Sequence, residues 1–144
     1  MYTCHLADTL TIRETDGSQS KLSFRPGPMD NARISCVRIC SDDAIVIGDD
    51  DGNIAKYGND GKFMWTIQPL TRDTFALFCL DSRDSLYCAT SDPNQVKVYL
   101  PSGAFSNVLV SDLEFPWAIA IDGSNNIHVI FYSCTSKFSV LKGS

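Results

Sequence analysis

Asp49-Asp50-Asp51-Gly52-Asn53-Ile54-Ala55-Lys56-Tyr57-Gly58-Asn59-Asp60-Gly61-Lys62-Phe63 reads as a short strand between two turn signals, and it comes back along the chain. Gly61 recurs as Gly103, 42 residues on, with Phe63 and Phe105 in step. Tyr57, Tyr99 and Leu141 keep the same step, and so do Ile54, Val96 and Phe138. In the other direction Gly17 precedes Gly61 by 44 residues. A period of about 40–45 residues built from short strands is the mark of a β-propeller blade, one four-stranded sheet per repeat.

Outward from that stretch, the chain divides into repeats. Residues 7–13 alternate apolar and polar, turn at Asp16-Gly17 and return through Lys21–Phe24 as a hairpin. This hairpin is expected to be the outer part of an incomplete blade spanning 1–28, and Arg25-Pro26-Gly27-Pro28 breaks it off. Blade one is expected over 34–68, with strands ISCVRI, AIVIG, Ile54–Tyr57 and Phe63–Ile67. Blade two is expected over 74–110, with FALFCLD, SLYCAT, QVKVYL and AFSNVLV. Blade three, over 115–144, has PWAIAID, NIHVIFY and KFSVL and lacks its last strand. The expectation is all-β, 13 strands and no helix, since no stretch carries an amphipathic stripe of helical period. Rings close with four to eight blades, so about three four-stranded antiparallel blades imply an open arc, an incomplete propeller. Such an arc is a fragment of a longer protein, a truncated product, or half of a six-bladed ring completed by a homodimer.

Composition bounds the function. The chain is 44% hydrophobic and 20% charged, an ordinary globular balance that excludes disorder. No apolar run approaches the roughly 18 residues a membrane helix needs, so no membrane partner is expected. The opening MYTCHLADTL lacks the basic and apolar blocks of a secretory signal, which points to a cytoplasmic protein. The six cysteines then read as reduced core thiols rather than disulfides. The net charge of −5 disfavours nucleic acid.

Pro116-Trp117-Ala118-Ile119-Ala120-Ile121-Asp122-Gly123-Ser124-Asn125-Asn126-Ile127-His128-Val129 resembles the NHL repeat: proline, apolar-Ala-apolar-Asp, a turn, then an apolar pair. Lys137–Leu141 and Gln95–Tyr99 look like its third strand, and Ser102–Phe105 like the turn that follows. Ala118 and Asn125 stand where that repeat usually has glycine, and blades one and two match it only loosely. The resemblance implies a propeller scaffold similar to the NHL region of tripartite-motif ubiquitin ligases, which binds substrates or RNA. No RING finger, B-box or coiled coil accompanies it here, so only a targeting role carries over.

Chemistry-bearing clusters each have a plainer reading. Asp49-Asp50-Asp51-Gly52-Asn53 lacks the ligand spacing of a calcium loop and suits a hairpin turn. Cys36, Cys40 and Cys79 lack the close-paired spacing of a zinc site. His128 sits between Ile127 and Val129, and no nucleophile elbow or phosphate-binding glycine loop occurs. No catalytic residue, metal or cofactor is therefore expected. The expected binding surface is the rim of connecting loops, where Arg33, Arg72, Phe115, Trp117 and Tyr132 are the anchor types that interfaces favour. The leading functional expectation is a non-catalytic protein-protein interaction module. RNA binding through the same rim, and a fragment of a metal-dependent propeller hydrolase or lyase, are the alternatives.

Overall fold

The structure is a computed structural model that describes residues 2–5, 9–13, 15–23, 34–49, 52–67, 77–90, 94–113, 116–131 and 138–142. They form four antiparallel sheets in chain order and, among the described residues, no helix. Sheet one is β1 (Tyr2–His5), β2 (Thr9–Arg13) and β3 (Gln19–Ser23). Sheet two is β4 (Ile34–Ile39), β5 (Ile45–Asp49), β6 (Ile54–Tyr57) and β7 (Phe63–Ile67). Sheet three is β8 (Leu77–Leu80), β9 (Leu86–Thr90), β10 (Gln95–Tyr99) and β11 (Phe105–Val110). Sheet four is β12 (Pro116–Ile121), β13 (Asn126–Phe131) and β14 (Phe138–Lys142). In every sheet neighbours in space are neighbours in sequence.

One correction concerns the start of the chain. The expected two-stranded hairpin is a three-stranded sheet, because Tyr2–His5 pairs with Ile12 back to Thr9. Four residues carry too little alternation to register as a strand; only the pairing defines it. Among the described residues there are 14 strands, where 13 were expected of the chain.

One turn geometry builds most of the hairpins. Gly61 N–H donates to Gly58 O and Gly58 N–H to Lys62 O, with Gly61 at φ 80°. Gly103 and Gly52 repeat this arrangement at φ 85° and 86°. This is the type I turn closed by a left-handed residue, which favours glycine because no Cβ meets the carbonyl. The hairpin between the first two strands of sheets two, three and four keeps the geometry without glycine, placing Asp43, Asp84 and Asn125 at φ 60–63°. Asp and Asn tolerate the left-handed region better than other side chains do.

Alternation then fixes the packing. Strand β5 is buried from end to end, Val46 on one face and Ile45 and Ile47 on the other. Val46 and Ile54 join Phe78, Leu86 and Cys88 in a core between sheets two and three. Cys79, Ala89 and Val96 join Ile119, Ile127 and Val129 between sheets three and four. Ile45, Ile47, Ala55 and Tyr57 are buried on the opposite face of sheet two. Sheet three therefore has an apolar core against each of its faces, as a blade in a stack does. Strand β4 sends Cys36 into the core with sheet three and packs Ile34, Val37 and Ile39 against the opposite core, in keeping with a strand that has apolar cover on both faces, but only in part. Ser35 and Arg38 are exposed, and β4 is an edge strand with a neighbour on one side only.

Candidate functional site

Three places on this scaffold concentrate chemistry, beginning with the turns that follow β4 and β8. The Asp84 carboxylate accepts hydrogen bonds from Ser41 N–H, at 2.9 Å, and from the Ser41 hydroxyl. One repeat later, Asn125 Nδ2 donates to Ser82 Oγ at 3.2 Å. Thus in sheets three and four the left-handed turn residue holds a serine of the preceding sheet's corresponding turn. Next to the first clasp, a thiol or carboxylate atom from each of Cys40, Asp42 and Asp84 lies within 4.8 Å of the others. This grouping resembles a ligand set, yet the buried Lys56 ammonium is 3.9 Å from Asp42 and Ser41 already occupies Asp84. A cation would have to displace both, so the cluster is an ion pair within sheet two beside the Ser41–Asp84 clasp that joins sheets two and three. Sequence reading missed it, because Lys56 in IAKY looks like an outward position.

The thiols belong to the same interfaces. Cys36, Cys40, Cys79 and Cys88 are free and buried, and Cys36 Sγ lies 3.9 Å from the Phe78 carbonyl. The side chain of Cys4 lies outside the described set, as does the whole of Cys134. Burial pushes the Cys79 and Cys88 thiols up to about 12, and pushes Cys40 up against the opposing pull of the Lys56 ammonium. Only the thiolate attacks an alkylating reagent. At pH 8 the native protein should therefore leave Cys79 and Cys88 unmodified by iodoacetamide over an hour, while urea exposes both to full modification. Peptide mass spectrometry reads the outcome, and rapid native labelling of Cys88 would contradict it.

The second place is the Asp122 turn. Its carboxylate accepts from Ser124 N–H, Asn126 N–H and Asn126 Nδ2, all at 2.9 Å, and from His128 Nε2 at 3.0 Å. A carboxylate only accepts, so Nε2 carries the proton. The His128 hydrogen bond, then those from Asn126, hold the Asp122 carboxyl well below the usual carboxylate range. Asp81 repeats the design with Arg83 N–H, Ser85 N–H and the Tyr87 hydroxyl. In the sequence that resembles an NHL repeat, the aspartate is thus a turn organiser. The same holds for Asp49, whose buried carboxylate accepts from Asn53 N–H and Nδ2, both at 2.8 Å. Asp50 and Asp51 lie outside the described residues.

The third place is the outer rim of sheets two and three. Tyr57 stacks edge-on against Phe63 at 5.8 Å, and Tyr99 against Phe105 at 5.7 Å, the same pair one repeat apart. Trp65 reaches across from β7 to donate from Nε1 to the Pro101 carbonyl at 3.0 Å. On the fourth strands and adjoining turns of these two sheets Phe63, Met64, Leu100, Phe105 and Val108 remain 40–55% exposed. Strand β11 shifts register twice against β10, which bends this edge away from regular pairing.

Of the loop residues expected to bind, Arg33, Arg72, Phe115 and Tyr132 lie outside the described residues. Trp117 lies in β12, with its side chain outside what is described. The rim apolar set was visible in the sequence only as in-step fold markers, Phe63 and Phe105.

No protein-family model matches the chain, and no curated protein matches it. Solved structures do. A streptogramin B lyase is 16% identical with a TM-score of 0.65 over 96% of this chain and 49% of its own. Virginiamycin B lyase from Staphylococcus aureus is 14% identical, with a TM-score of 0.65, over 99% and 51%. The WD40 repeats of RRP9 are 13% identical, with a TM-score of 0.58, over 96% and 44%. At these identities the likeness is one of fold: the chain is a partial β-propeller that spans about half the length of the propellers it matches.

Proposed function

We propose that this partial propeller is a non-catalytic module that binds a protein partner. The observation that carries the reading is the outer rim, where Met64, Leu100, Phe105 and Val108 stand half exposed on neighbouring sheets joined by the Trp65–Pro101 bond. Exposed large apolar groups on a rigid scaffold are what interaction surfaces draw on. The bulged edge favours recognition through side chains over strand addition. The NHL-like pattern of sheet four supports kinship with that class of targeting propellers, and the residues expected from sequence to bind, Arg33, Arg72, Phe115, Trp117 and Tyr132, are a second candidate set in the same reading. The net charge of −5 weighs against RNA.

The test compares affinity capture by the wild-type chain with capture by Met64→Asp/Phe105→Asp and by Arg72→Ala/Trp117→Ala, quantified by mass spectrometry. Truncated apolar anchors typically cost 1–2 kcal/mol each, so specific partners should fall about tenfold or more with the rim variant. Loss with the loop variant alone would move the site to the loops. Equal capture by all three would reject both surfaces.

A further inference from the structure

We propose that Cys40 and Lys56 form a modification site, where a peroxide joins the two side chains through a sulfur–nitrogen bond. This goes beyond the partner-binding reading and does not depend on it. The repeat marks the site as unusual. Cys40 N–H bonds Ala44 O as Asp81 N–H bonds Ser85 O and Asp122 N–H bonds Asn126 O, so the three residues hold one position in three sheets. Sheets three and four place there the aspartate that organises the turn. Sheet two places a thiol there, and Asp42 accepts the Ala44 N–H instead.

Opposite that thiol stands an amine. Cys40 is 5% exposed and directly precedes the exposed turn residues Ser41, Asp42 and Asp43. Lys56 lies on β6, two strands across the same sheet, and is also 5% exposed. An ammonium buried that far requires polar partners. Asp42 Oδ2 is 3.9 Å from Nζ, past hydrogen-bond distance. A second partner is sulfur: the Lys56 side chain hydrogen-bonds Cys40, whose Sγ lies within 4.8 Å of carboxylate oxygens of Asp42 and Asp84. Hydrogen-bonded atoms already stand at the separation from which a bond between them forms.

The chemistry balances with one peroxide. The Cys40 sulfur attacks a peroxide oxygen, the O–O bond breaks and water leaves, giving the sulfenic acid. Lys56 releases a proton to solvent past Asp42, and its nitrogen attacks the same sulfur. The S–O bond breaks, and the hydroxyl leaves with an amine hydrogen as a second water. Sulfur loses two electrons and peroxide gains two. Peroxide is small, and brief opening of an exposed turn admits it. The product ties the end of β4 to β6 across β5 and consumes the charge that now faces Asp42.

Treatment of the native 144-residue chain with millimolar hydrogen peroxide, then trypsin and mass spectrometry without reductant, tests this. Trypsin cuts after Arg38, Lys56 and Lys62, and Cys40 is the sole cysteine in between. A bonded Lys56 blocks its own cut, so the expected product is peptide 39–62, lighter by two hydrogens, about 2 Da. Dithiothreitol should restore both the mass and the cut. The same dose in concentrated urea should not form the link, since the fold holds the pair together. Lys56→Arg keeps a cation but offers no nucleophilic amine, so Cys40 should stop at the sulfenic acid, which dimedone traps. Peroxide-treated native chain still fully cut after Lys56 would overturn the proposal. So would a link that forms equally in urea, or the same mass loss in Lys56→Arg.

Discussion

Phe78→Ala is expected to lower the free energy of unfolding by about 3–5 kcal/mol. Phe78 is 1% exposed on β8 and packs with Leu86 and Cys88 against Val46 and Ile54 of the neighbouring sheet. Removing a buried ring loses its transfer free energy and leaves a cavity that a β-strand, fixed by ladder bonds on its neighbour, closes poorly. Domains of this size hold about 5–15 kcal/mol in total, so the loss is a large fraction of the whole.

Its position adds a second expectation. In a stack of repeats, stability is approximately a sum of sheet terms and nearest-neighbour interfaces. The Phe78 core is the interface between sheets two and three, so weakening it separates the array at its middle. Urea unfolding of Phe78→Ala should show a lower midpoint together with a lower apparent slope, the sign of lost cooperativity. Phe105→Ala, which removes an exposed ring in edge contact with Tyr99, should cost about 0.5–1.5 kcal/mol with the slope unchanged. Equal costs at the two positions would contradict the stacked arrangement.

These two phenylalanines also show where the sequence was legible. Phe63 and Phe105 keep step with Gly61 and Gly103 because one hairpin geometry recurs, and a recurring backbone demand leaves a recurring letter. The period, the all-β class and the four-stranded repeat could be read for that reason. The hairpin after the first strand of sheets two, three and four makes the same demand, but Asp43, Asp84 and Asn125 meet it in place of glycine. The clasps those residues make to Ser41 and Ser82 join turns from different sheets, and no local pattern announces a partner 43 residues away. Lys56 is the sharper case. Alternation places it on a strand, but nothing local announces that it is buried with the Asp42 carboxylate of a neighbouring turn 3.9 Å away. The rim residues were read as strand members, because exposure on a fourth strand depends on whether another layer follows.

Gly103→Ala is expected to cost about 2–4 kcal/mol, from two separable causes. At φ 85° an alanine Cβ crowds the adjacent carbonyl, which costs about 1–2 kcal/mol. The added Cβ would also stand 2.8 Å from Trp65 Cδ2 and 2.9 Å from Cγ, the root of the indole and not its flexible end. Relief requires the ring to withdraw, and withdrawal breaks the Nε1 bond to Pro101 that ties the outer edges of sheets two and three. Gly17 isolates the first cause, since it has φ 87° and nothing within 4 Å of its Cβ position. Gly17→Ala should therefore cost only the backbone share, about 1–2 kcal/mol. A double-mutant cycle separates the second cause: in a Trp65→Leu background the cost of Gly103→Ala should fall to that of Gly17→Ala. Chemical denaturation of the four Gly103/Trp65 combinations measures the coupling. A cost at Gly103 that is the same with and without the indole would show that Trp65 does not rest on this turn, and the bridge between the outer edges would have to be abandoned.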